Sequence, residues 1–303
     1  MNTFTLGLIF AGMIVLPYAW YAIKINSFSA INAPEDFHFY SYSELWITCI
    51  SLPIFALGRR LMRLSRPLVL KTIPHVNDKN QKLTDFERNE KAAKVERHLY
   101  DAINFSLSTI VAFYLCLDQD WMPWYLGGKG DLLKNGFVDL PFPKVDRMIP
   151  VFGFINLGYR IESLILTLSD TSKKDFQEMF LHDLVTIFLF FGYLFGYMLS
   201  IGTMIIIVHD LTDVPLHITK ALNSTVYDRF VPFTFILSQL MWIYFRLYCF
   251  PMLIRDLVFV EYPEQRAQFN PFVFLNAAFL LTLLAMHFLW FYMFQKINIK
   301  MLN

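Results

Sequence analysis

The chain has 303 residues, of which 56% are hydrophobic and 17% aromatic, with 32 Phe. A soluble domain holds about 45–50% apolar residues, so this excess excludes an ordinary soluble domain and indicates an integral membrane protein. A formal net charge of +1 argues against nucleic acid as a partner.

Apolar runs recur along the chain, each long enough to cross a hydrocarbon core of about 30 Å. Strand-like alternation is rare, so helices rather than a barrel satisfy the backbone. In chain order the spans are expected at 3–23, 44–64, 98–117, 147–168, 181–196, 197–218, 230–251 and 271–295, about eight in all. The first has no basic flank and no small-residue cleavage site, so it reads as a span rather than a removed signal. Residues 1–43 therefore form an extra N-terminal helix with its connecting loop, and 44–300 the main membrane domain. Cys49, Cys116 and Cys249 fall within apolar runs at no metal-ligand spacing and read as packing residues.

Charge position says more than charge total. The longest basic loop runs from Arg59 to Arg97; the 169–180 loop adds Lys173 and Lys174, and the tail adds Lys296 and Lys300. Eight spans place all three, with both termini, on one face, which the positive-inside rule makes cytosolic or its topological equivalent. The opposite 118–146 loop carries Asp118, Asp120, Asp131, Asp139 and Asp146. It also holds Trp121 and Trp124, both expected in an interfacial aromatic belt. Within the fourth span, Arg160 and Glu162 are two residues apart and so point to different helix faces. Each needs a partner helix or a snorkelling route. One expectation is an outward face that docks another membrane subunit, as a homo-oligomer or within a larger complex.

The segment VHDLTD closes an apolar run with three ionisable groups, His209, Asp210 and Asp213. Each would cost about 2.5–3.5 kcal/mol at the centre of a membrane helix on insertion scales. Residues 181–218 read as two antiparallel helices joined near Gly196. His182 lies 14 residues before that turn and His209 13 after it, so both stand about 20 Å from the tip. His209 and Asp213 are i,i+4, and Asp210 and Asp213 i,i+3, so the hairpin gathers His182, Asp183, His209, Asp210 and Asp213 at the basic-side mouth. Three readings stand open on the residues alone: a solvated helix end, a metal site, and a His-based acyl-transfer or acid/base site. No H-x-x-x-H or H-x-x-E-H spacing is present, so no metal is expected.

The sequence KKDFQEMFLHDLVT followed by HDLTDVPLHITK resembles the central motif of the TLC (TRAM–LAG1–CLN8) domain, in its ceramide synthase (Lag1-type) branch. His182 fits the first His of that motif, Thr186 its Thr, Gly202 its Gly, and His209, Asp210, Asp213, Leu216 and Lys220 its end. Outside it, LGRRLMRLSRPL, KVERHLYDAINF, FRLYCFP (Arg246 and Pro251) and MHFLWFY (His287 and Trp290) follow in order, so the likeness covers about residues 45–296. The resemblance implies a helix bundle around a lipid-accessible tunnel in the endoplasmic reticulum membrane; for a subunit of a larger complex the alternative is the mitochondrial inner membrane or another organelle. It also implies transfer of a long-chain acyl group from acyl-CoA to a sphingoid base, with no cofactor beyond that co-substrate. His182 would take the acyl group or act as base, and His209, Asp210 and Asp213 would orient and activate. Arg59, Arg60, Lys173, Lys174 and Arg246 are the candidates to bind CoA or substrate.

The pattern is altered at four positions. The family's second His is Asp183, its Asn and Arg fall on Tyr197 and Ser200, and its Glu after Leu is His217. An imidazole replaced by a carboxylate turns a donor/acceptor into an acceptor-only anion at pH 7. Loss of the Arg is expected to leave three carboxylates without a balancing charge. The alternative to an enzyme is thus a catalytically silent subunit that holds lipid within a larger membrane assembly.

Overall fold

The computed structural model describes residues 42–76, 81–137, 145–170, 175–259 and 270–302, with isolated positions outside these stretches. The expected span 3–23 and Lys173 and Lys174 fall outside the described stretches. Among the described residues the chain is helical, with two isolated bridges in loops in place of a sheet. Seven segments are long and apolar enough to cross a membrane, and they match the seven expected spans from 44 onward to within a few residues at most ends. The protein is an integral membrane helix bundle.

Helix α1 (Leu45–Leu61) continues through a tight turn at Met62–Ser65 into α2 (Arg66–Thr72). Its polarity is inverted: Ile50, Ile54 and Leu57 face outward, while its buried residues are Thr48 and Ser51. Lipid tails solvate leucine as well as a protein core does, so small and hydrogen-bonding residues make the helix contact instead. Thr48 Oγ1 donates to the Phe154 carbonyl at 2.8 Å and Ser51 Oγ to that of Ile155 at 3.3 Å.

Helix α3 (Asp85–Cys116) has 32 residues, about 48 Å of rise, and so begins well before the apolar run at 98–117. A capping box starts it: Thr84 Oγ1 accepts from Glu87 N–H, and the Glu87 carboxylate accepts from Thr84 N–H. Ala92 and Val95 then pack on Val69 of α2 and on Ile73 just beyond its end, and Arg66 makes a two-armed ion pair with Glu96.

Helices α4 (Met148–Ser169), α5 (Phe176–Phe195) and α6 (Leu199–Leu222) carry the expected hairpin and its neighbour. The hairpin turns at 196–198, where Tyr197 is fully buried with φ of 57°. Helix α6 is central, the most buried of the spans, and packs chiefly on α3 and on α7 (Val231–Met241). The chain then widens into a π-helical stretch at Trp242–Cys249 and returns to α-geometry as α8 (Phe250–Val258). Pro251 has no N–H to offer the carbonyl four residues back, which favours the wider i→i+5 pattern there. Helix α9 (Asn270–Leu302) closes the bundle against α5 and α8.

Gly202 allows the hairpin to close. A Cβ there would stand 2.3 Å from Tyr193 Cδ2, and one at Gly153 2.4 Å from its Cε1. The ring is thus held between α4 and α6, with its hydroxyl donating to the Ile149 carbonyl at 2.9 Å. Gly202→Ala is expected to destabilise the protein by about 1–3 kcal/mol through overpacking, read as a lowered Tm in detergent.

The loop after α3 seals the acidic-loop end. Trp124 is exposed, as an interfacial residue would be, but Trp121 is buried in the core, which corrects the expectation for Trp121. Tyr125 donates to Asp256 at 3.0 Å, and burial with that neighbouring carboxylate pushes its phenol up. Ser200 Oγ donates to the Gly136 carbonyl at 2.7 Å, tying the loop to the start of α6.

Candidate active site

A cavity with about 680 Å³ of empty volume, its mouth included, lies between α5, α6 and α9. At one end it is lined by Arg160, His182, Thr186, His209 and Asp213; Leu189, Ile205, Leu280 and Leu283 line its length, and Met198 and Leu257 its far end. From His182 to Tyr193 the wall runs for 11 residues of α5, about 16 Å. The charged and imidazole side chains that line it are therefore gathered at the basic-face end of a largely apolar tube, while Asn276 lines it further along α9.

His182 and Asp183 are adjacent on α5, a spacing that does not place two side chains on one face. The Asp183 carboxylate nevertheless reaches back, with Oδ1 3.4 Å from His182 Nδ1, while Oδ2 accepts from Thr167 Oγ1 at 2.6 Å. With Nδ1–H turned to the carboxylate, Nε2 on the other side of the ring keeps its lone pair. Trp290 of α9 packs against the imidazole, ring centroids 5.3 Å apart. Asp183 itself is buried behind the wall rather than in it.

His209 is engaged on both nitrogens. Its Nδ1 is 2.8 Å from the Ile205 carbonyl, so it carries the proton there. With both rings neutral, Nε2 must then accept from Nε2–H of His287, 3.2 Å away. His287 is fully buried and its own carbonyl accepts from Trp242 Nε1 at 3.2 Å. His209 is thus a held, positioning group rather than a free base, and His287 belongs to the same cluster.

The two carboxylates of α6 each have an arginine. Asp210 is fully buried and pairs with Arg160 of α4. Asp213, at the cavity wall, accepts from Arg246 Nη2 at 2.5 Å; the same guanidinium donates to Thr212 Oγ1 at 2.7 Å and to the His209 carbonyl at 3.1 Å, above the Trp242 ring. Arg246 is buried, held inward by the π-helical stretch. It therefore braces α6 and does not stand free to bind CoA, as expected of it above.

Two further expectations are corrected by burial. Arg160 and Glu162 do not form an outward docking face: Arg160 turns to Asp210, and Glu162 is buried and receives a two-armed pair from Arg59, at 2.6 and 2.9 Å. Arg59 also reaches Asp101 at 3.0 Å, so it is a bridge among α1, α3 and α4 and not a free CoA ligand. Arg60 is exposed. The feared charge imbalance does not arise at Ser200 either, since that residue lies ten positions and about 15 Å up α6 from Asp210. Arg160 and Arg246 supply the positive charge where the carboxylates are.

A family model of the TLC domain matches residues 94–296. Human ceramide synthase 5 is 28% identical over 197 residues, covering 63% of this chain and 48% of the relative. Bovine ceramide synthase 4 is 35% identical over 130 residues, 42% of this chain and 33% of the relative. Ceramide synthase hyl-2 of Caenorhabditis elegans is 22% identical over 271 residues, 84% of this chain and 79% of the relative. The chain thus spans about half or less of the first two. The chain belongs to the TLC domain family, and within it the similarity runs to the ceramide synthases.

Proposed function

We propose that the protein is an acyl-CoA-dependent N-acyltransferase that joins a long-chain acyl group to the amino group of a sphingoid base, in the endoplasmic reticulum membrane. One observation carries this reading: the imidazole of His182 stands at the charged end of a largely apolar tube with its Nδ1 facing a carboxylate. A carboxylate in that position fixes the tautomer and stabilises the imidazolium that forms when Nε2 reacts.

In the proposed reaction the acyl chain fills the tube and the thioester lies at its mouth. The Nε2 lone pair bonds to the carbonyl carbon as the C–S bond breaks, and CoA leaves as its thiolate. The acyl-imidazolium is balanced by Asp183. The substrate amine then attacks the same carbon, the C–N bond to His182 breaks, and the amine proton passes to the thiolate. The products are the amide and free CoA.

A second reading, a non-catalytic subunit that holds lipid, is favoured by the engagement of both His209 nitrogens and by Asp183 at a second-His position. One assay separates the two. The purified protein is given a long-chain acyl-CoA with a sphingoid base, and in parallel acyl-CoA alone; the amide and the intact protein mass are measured. Amide formation, with one added acyl group in the second arm, supports transfer through His182. No product and no adduct, with lipid retained by the protein, supports the holding subunit.

A further inference from the structure

We propose that His98, Asp101 and His217 form a binding site for a divalent transition-metal ion of the zinc class, bridging α3 and α6. The three come from two helices: His98 and Asp101 are i,i+3 on α3, and His217 faces them from α6. His98 Nδ1 and His217 Nδ1 are 3.4 Å apart, and His217 Nδ1 is 3.6 Å from Asp101 Oδ2. Ligand atoms of all three lie within 4.8 Å of one another. Donors at about 2.0–2.1 Å from a tetrahedral zinc are themselves about 3.3–3.4 Å apart, close to the spacing of the two imidazoles.

The donor set and its surroundings both suit such an ion. Two imidazoles and one carboxylate form a set that zinc and its neighbours in the first row take readily. The second Asp101 oxygen is already oriented, accepting from Tyr159 OH at 3.0 Å and from Arg59 at 3.0 Å. Outer contacts of that kind fix a ligating carboxylate. Arg59 divides its guanidinium between Asp101 and Glu162. Lys220, one turn beyond His217 on α6, and Arg246 are the other cations that act on His217. Phe105 packs edge-on against the His217 ring at 5.3 Å, and the two imidazoles meet edge-to-face at 5.2 Å, so the rings are held in place. With an ion present, both Nδ1 lone pairs point to it and each ring carries its proton on Nε2. Three protein donors leave one position for water.

The inference is independent of the acyl-transfer reading, because its test reads metal and not turnover. The full chain, purified in metal-free detergent buffer, is loaded with Zn²⁺ or Co²⁺; bound metal is counted by mass spectrometry, and the visible Co²⁺ spectrum is recorded. About one ion per chain and the intense bands of four-coordinate Co²⁺ are expected. His98→Gln and His217→Gln should each weaken Zn²⁺ binding at least about 100-fold, beyond the 10–100-fold that changes to outer contacts cost. His98 is only half-buried, so His98→Gln keeps the fold and carries the test alone if the other variant does not. A wild-type chain that retains no ion, or an affinity unchanged by His98→Gln, overturns the site.

Discussion

His182→Ala is expected to abolish amide formation and the acyl adduct together, while lipid binding and Tm stay close to wild type. The side chain sits at the cavity wall and makes one polar contact, with Asp183, so its removal takes away the reacting nitrogen and little packing. Asp183→Asn should then lower turnover by about 10²–10⁴-fold, the range a positioned acid/base partner supplies. The amide keeps the shape, and its oxygen can still accept from Thr167, but it cannot balance an imidazolium. If Asp183 acts through His182, kcat falls and KM for acyl-CoA is nearly unchanged. A fall in affinity with kcat intact would assign Asp183 to binding instead. Adduct formation that survives His182→Ala would remove this residue from the reaction.

The second large effect concerns stability. Arg160→Met leaves Asp210 with a buried, unpaired charge in the centre of the bundle, and breaking one side of such a pair costs about 3–5 kcal/mol. Replacing both partners is a different case, because the desolvation of each charge is avoided. Arg160→Met with Asp210→Asn is therefore expected to recover most of the loss. Unfolding of the two single variants and the double variant, monitored in detergent, yields the coupling directly. Equal destabilisation in the single Arg160 variant and in the pair would mean that Arg160 acts by packing on Phe105 and Tyr159 rather than by charge.

Apolar length was enough to locate seven spans, since it reports where the chain can lie in lipid. It was blind to which face turns inward. In α1 the inward residues are Thr48 and Ser51, the reverse of the pattern a soluble helix shows. It also shortened α3, whose first three turns stand beyond the apolar run and are held by capping and by α2. The hairpin registered His182 with His209 and Asp213 correctly because both arms count from one turn. The partners of those groups were not legible: Arg160 lies 50 residues from Asp210, and His287 78 from His209. His98 and His217 are 119 residues apart, so no local spacing marks them. Likewise, charge lost at Ser200 and charge present at Arg160 look unrelated until the helices are packed.

The wide turn between α7 and α8 has a consequence for the helices it joins. In an α-helix each residue advances the direction of its side chain by about 100°, so a stretch with a longer repeat acts as a phase shifter between its two ends. Here it lets one continuous rod address two targets: Arg246 meets the carboxylate and carbonyl of α6, and Leu257 meets the far end of the cavity. A uniform α-helix of the same length would satisfy one of these and rotate the other away. The depth of the tube and the position of its charged mouth are therefore set jointly, by one irregular turn and the proline that follows it.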